Sequence, residues 1–207
     1  EAGSPQLPEH MRWAVENILP GILARARDQE ALIAYYSIDE PGTDAQFDAC
    51  LQLYRGVRAH DPYHPVYLLF SSWIPDNQDW TQAMDIVGVD PYMIMGHPTQ
   101  QGQRYTLQHM AASTSAARQV ADRMHSALWI IPQSEFYSGS VRPLLPDEQR
   151  CQTWMALIYG GRGLLWFRNP VYHQASWDNF GALVADLRQL APALLERQPA
   201  QEVSVLP

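Results

Sequence analysis

Short continuous apolar runs alternate along this chain with longer stretches of helical periodicity. Pro8 to Arg27 reads as a helix, with Trp13, Ile18 and Ile22 apolar and a kink expected at Pro20-Gly21. Leu32 to Ile38 is a strand-length apolar run. Thr43-Asp44-Ala45-Gln46 is a capping-box pattern, and the helix it opens carries Phe47, Cys50, Leu51, Tyr54 and Val57 on one face. Further strands are predicted at Val66 to Phe70, Asp85 to Val89, Ala127 to Ile131 and Gly163 to Phe167. Between them lie a short helix near Trp80 to Ala83, a long Ala-rich helix from about Thr106 to Ser126, and a helix opened by Pro146 and stopped by Gly160-Gly161. A last helix, capped at Ser176, carries Phe180, Leu183, Val184, Leu187 and Leu190.

Five strands separated by helices imply a parallel sheet, and strands apolar throughout imply that both faces are covered. Two architectures fit. One is a (β/α)8 TIM-type barrel of which this chain supplies about five βα units, leaving three strands to be provided by missing N-terminal segments or a partner chain. The other is a five-stranded doubly wound α/β domain. Residues 1–198 are expected to form the barrel part, with 199–207 a linker or the start of a following segment.

Composition narrows the function. The chain has 207 residues, is 46% hydrophobic and 17% charged, and carries a formal charge of −8; it has no lysine. An acidic chain without basic clusters is a poor nucleic-acid binder. No apolar run is long enough to span a bilayer. Cys50 and Cys151 have neither metal spacing nor a CxxC partner, so buried thiols are expected. No HxH or HExxH pair occurs, so neither a metal nor another cofactor is called for. The compartment stays open, with secretion or the periplasm among the options.

The candidate chemistry gathers at the strand ends. Tyr35-Tyr36-Ser37-Ile38-Asp39-Glu40-Pro41 places two carboxylates where Pro41 must stop the first strand. Ser72 and Trp73 follow the second strand, Asp90 and Tyr92 the third, Gln133 and Glu135 the fourth, and Trp166 and Arg168 lie at the end of the fifth. In α/β folds the C-terminal strand ends carry the ligand. Carboxylates, aromatic platforms and hydrogen-bonding side chains are what a sugar site needs. His97 and His173 fall in loops at the same ends, whereas His64 precedes its strand and is expected on the structural face.

The order of these pieces resembles the second part of a (β/α)8-barrel glycoside hydrolase, of the broad clan with its acid/base on strand four and its nucleophile on strand seven. Tyr35 to Pro41 matches strand four, Gly88-Val89-Asp90-Pro91-Tyr92 strand six, Trp129-Ile130-Ile131-Pro132-Gln133 strand seven, and Gly160 to Phe167 strand eight. The resemblance implies that Glu40 is the general acid/base. It puts Asp39 where the clan has an Asn that holds the sugar 2-hydroxyl. The clan's nucleophile would fall near Gln133, which is neither nucleophile nor base, so Glu135 is the expected second carboxylate and Asp90 the next candidate. Trp73, Asp90, Tyr92, Gln133, Trp166 and Arg168 complete the expected substrate contacts. The partner is then a carbohydrate, and a non-catalytic carbohydrate-binding barrel is the competing reading.

Overall fold

A computed structural model describes residues 6–92, 107–134, 144–167 and 174–195. The elements are α1 (Leu7–Asn17), α2 (Leu19–Ala26), β1 (Tyr35–Asp39), α3 (Asp44–His60), β2 (Val66–Phe70), a 3-10 turn (Trp80–Ala83), β3 (Ile86–Val89), α4 (Leu107–Arg123), β4 (Leu128–Ile130), α5 (Pro146–Ile158), β5 (Gly163–Leu164) and α6 (Gln174–Leu194). The segment from Pro170 onward is a compact unit of its own, and its described part is α6. Among the described residues no helix is long and apolar enough to cross a membrane.

All five strands form one sheet in the order β1-β2-β3-β4-β5, and every pairing is parallel. This order decides between the two expected architectures. A doubly wound sheet reverses its strand order at a switch point, and this sheet never does. The fold is a partial (β/α) barrel. Right-handed crossovers in one direction put the connecting helices on a single face, and burial follows that rule. Leu68, Phe70, Val87, Val89, Leu128 and Ile130 pack with Phe47, Cys50, Met110, Ala117, Ala121 and Ala156. The alternate residues Tyr67, Leu69 and Ile86 pack with Ala34, Trp129 and Ile131 on the opposite, lumen face. The first of the paired tyrosines, Tyr35, joins Leu23, Val57 and Val66 on the helix side.

The lumen face has its own layering. Gly88 pairs with Leu69 on one side and Trp129 on the other, and Trp129 pairs with Gly163. The Tyr67 ring lies over Gly88, where a Cβ would come within 2.3 Å of it, and the Trp129 ring lies over Gly163 at the same spacing. Large rings thus alternate with glycines across neighbouring strands. Tyr36, Tyr67 and Trp129 form a continuous aromatic floor, with ring centroids 5.5 and 5.2 Å apart.

Local chemistry sets the element ends. Thr43 Oγ1 accepts from the Gln46 N–H (3.3 Å) and Gln46 Oε1 accepts from the Thr43 N–H (3.0 Å), which is the capping box expected of α3. Pro146 begins α5 as expected. The first helix breaks at Ile18, two residues before Pro20, because Pro20 has no N–H to donate to the carbonyl four residues back and its ring crowds that carbonyl. Ser176 lies inside α6 rather than at its cap, since the helix already starts at Gln174.

Candidate active site

The parallel strands deliver their C-terminal ends to one cavity of about 570 Å³. Its walls are Tyr36, Tyr67, Leu69, Trp129 and Ile131 from the lumen face, with Ile33 and Ala34 ahead of β1. Asp39, Glu40, Asp90, Tyr92, Leu165 and Phe167 form its rim. Tyr92 and Phe167 stack across it with centroids 5.7 Å apart and ring planes 19° apart.

The placement of Asp39 and Glu40 depends on an irregularity in β1. Tyr36 pairs with Tyr67 and Asp39 with Leu69, so β1 uses three steps where β2 uses two. In a regular strand, residues three apart face opposite sides. The extra residue is a β-bulge, and it turns Asp39 to the same face as Tyr36. The Tyr36 hydroxyl accordingly donates to Asp39 Oδ1. Burial, reinforced by that bond, pushes the Tyr36 hydroxyl above its ordinary titration range. Glu40 then takes φ of +42°, a left-handed conformation uncommon outside glycine, while its N–H still donates to Leu69 O at 3.1 Å. Both carboxylates end up exposed at the cavity mouth.

Asp90 lies behind them. Its N–H donates to Phe70 O (3.2 Å) and Ser71 O (3.3 Å), and the residue is only 6% exposed. Its carboxyl lines the cavity beside Asp39, Glu40 and Tyr92. Burial, then the nearby negative charge of Glu40, push Asp90 up to about 9, against a smaller opposing pull from Tyr92. Asp90 therefore holds a proton at neutral pH.

Asp39, Glu40, Asp90 and Tyr92 are thus brought together, as four of the expected site residues. Three others are not in the cavity wall. Trp73 is 52% exposed and stands edge-on to His109 at 5.7 Å. Trp166 points to the helix side, where its Nε1–H donates to Thr153 Oγ1 (3.4 Å); strand alternation gives the lumen to its neighbours Leu165 and Phe167. Gln133 has no exposed surface, and its backbone is clasped by Gln152, which accepts from the Gln133 N–H at 3.2 Å and donates to its carbonyl. Glu135, Arg168, His97 and His173 lie outside the described residues. His64 is on the structural face, its Nδ1 2.7 Å from Asp61 Oδ2. The residues missed by sequence reading are Tyr67, Trp129 and Phe167. The signal for them was present: each lies at even spacing from another inward residue of its own strand, or, for Phe167, of the segment that continues it. Among the described residues no group of three His, Cys, Asp or Glu is arranged to hold a metal ion.

A consecutive parallel sheet with a cavity at its C-terminal strand ends defines a class by fold: a partial (β/α) barrel, represented by five of its units. Solved structures agree on the fold. A Bacteroides thetaiotaomicron protein assigned as an alpha-L-fucosidase superposes with a TM-score of 0.62 at 10% identity, over 86% of this chain and 62% of that one. A beta-galactosidase from Rahnella sp. R3 superposes with a TM-score of 0.65 at 12% identity, over 94% of this chain and 41% of that one. This chain therefore spans less than two thirds of the length of either protein. The sequence matches no protein-family model and no curated protein.

Proposed function

We propose that this chain is the strand-four to strand-eight part of a glycoside hydrolase acting on an oligo- or polysaccharide, with Glu40 as general acid/base. The observation that carries this reading is the position of Glu40: an exposed carboxylate at a parallel strand's C-terminal end, at the mouth of an aromatic-walled cavity. In the protonated form Glu40 donates to the leaving-group oxygen, and once ionised it activates water. Tyr92, Phe167 and the aromatic floor offer C–H stacking faces to sugar rings, and Asp39 accepts from a sugar hydroxyl.

On this reading Asp90 is the poorer second carboxylate, since it is 6% exposed and burial pushes it up to about 9. Glu135 remains the proposed second carboxylate. The competing reading, a carbohydrate-binding barrel without turnover, draws on a specific observation. Among the described lining residues the only carboxyls are Asp39, Glu40 and Asp90, and the position matching the clan's nucleophile is Gln133.

Glu40→Gln separates the two. In a hydrolase it lowers kcat by about 10²–10⁴-fold while glycan binding persists, read by assays on aryl glycosides and by calorimetry with oligosaccharides. Glycan binding by the wild type with no turnover would leave the binding-module reading in place. Neither binding nor turnover would end both.

A further inference from the structure

We infer that the cavity selects a ligand carrying a positive charge, which on the carbohydrate reading is a sugar with a protonated amine. That last step rests on the proposed function; the charge selectivity of the cavity does not.

Three features of the lining converge on a cation. The first is charge. Asp39 and Glu40 are both exposed at the mouth, and Asp90 lies in the wall behind them. Asp39 accepts from Tyr36 through Oδ1, which leaves Oδ2 to a ligand. Among the described residues the lining contains no Arg, Lys or His, so no protein cation answers these acids.

The second feature is aromatic surface. Tyr36, Tyr67, Tyr92, Trp129 and Phe167 share the lining with the acids. A ring face attracts a cation within about 6 Å of its centroid. Sugar C–H groups stack on the same faces, so rings alone admit either ligand. Rings set beside carboxylates favour the charged one.

The third feature is unmet polarity in the wall. Asp90 Oδ1 and the Tyr67 hydroxyl are buried without a hydrogen-bond partner. Asp90 is 6% exposed and Tyr67 3%, and both line the cavity. Unpartnered oxygens away from water are costly, and the low dielectric around them leaves their negative potential poorly screened. A positive charge in the cavity offsets that potential through space.

Turnover accounts for only part of this acidity. Glycoside hydrolysis uses a pair of carboxyls, and Glu40 with Glu135 fills that need on the proposed function. Asp39 and Asp90 are surplus to it. A neutral sugar hydroxyl needs an acceptor but no charge, whereas an ammonium gains from both.

The test is a titration of the whole chain with sugars matched except for one amine: glucosamine against glucose, and galactosamine against galactose. Tetramethylammonium serves as a cation that is not a sugar. Binding is read from intrinsic fluorescence and from the Trp129 indole N–H resonance, at a pH where the amines are protonated. At least one amino sugar is expected to bind about tenfold or more tightly than its neutral counterpart. The preference is expected to weaken as salt is raised, since exposed charges are screened. It is also expected to shrink in Asp39→Asn, which keeps the acceptor for Tyr36 and removes the charge, and in Glu40→Gln. Neutral sugars that bind as well as the amino sugars overturn this inference and leave the carbohydrate reading standing. An amine preference that survives both substitutions overturns it as well. Saturable binding of tetramethylammonium with no sugar bound upholds the charge selectivity and removes the carbohydrate reading. Binding of none of these probes overturns the inference.

Discussion

Glu40 pairs an exposed acid with a backbone conformation that ordinary side chains avoid. Its φ of +42° costs about 1 kcal/mol relative to glycine. It also sits beside the exposed carboxylate of Asp39, so two like charges adjoin at the cavity mouth. Strain and like charge gathered on one residue are typical of positions kept for chemistry rather than stability. Glu40→Gly is therefore expected to raise stability by about 1 kcal/mol while eliminating hydrolysis, measured by urea denaturation alongside the activity assay. Unchanged or reduced stability would mean that the left-handed turn is not strained.

At the scale of elements, the opposite end of the sheet is devoted to holding strands in place. Asp61 ends α3 with 2% exposure and accepts from the Tyr35 hydroxyl (2.8 Å), the Tyr63 and His64 N–H groups (3.0 and 3.2 Å) and His64 Nδ1 (2.7 Å). Burial pushes its carboxyl upward, but the bonds from His64, Tyr35 and the backbone outweigh burial and hold it at about 2. The sign of the pH effect follows. A carboxylate depressed in the folded state stabilises fully above its unfolded value near 4, and that contribution disappears as pH falls through about 2. Asp61→Asn is expected to cost about 2 kcal/mol at pH 7 and to leave a smaller stability loss than the wild type shows between pH 4 and 2. Parallel acid denaturation curves for the two proteins would show that the cluster is not linked to folding. At the other end of β1 the bulge has the equivalent importance: without the extra residue between Tyr36 and Asp39, these two side chains would not share a face.

At the scale of the whole molecule, β1 and β5 are the edge strands of the sheet among the described residues, and the lumen face keeps apolar groups accessible. Ile33, Tyr36, Leu165 and Phe167 are all among the exposed large side chains, and all line the cavity. Five parallel strands do not close a barrel, and open parallel edges with apolar surface between them recruit further strands. We propose that further barrel strands cover this face. The chain alone is accordingly expected to self-associate at micromolar concentration in sedimentation velocity runs. A clean monomer with an unchanged lumen face would count against that proposal.

The sequence by itself determined the element order, because apolar periodicity separates strands from helices without reference to the rest of the chain. It also determined which residue types stand at the strand ends: Asp39 and Glu40 before Pro41, Asp90 before Pro91. It determined the α3 cap, since a capping box is a local pattern of four residues. What it left open was every property that depends on register. Sequential strand order excluded the doubly wound sheet, and order is a matter of which edges meet. Trp166 and Phe167 are adjacent aromatics of equal promise, and only strand alternation assigned the lumen to Phe167. The bulge that brings Asp39 inward is one residue of misregister between β1 and β2, which no single strand encodes. Glu40 and Asp90 are fifty positions apart, and only the pairing of β1, β2 and β3 brings both acids to one cavity.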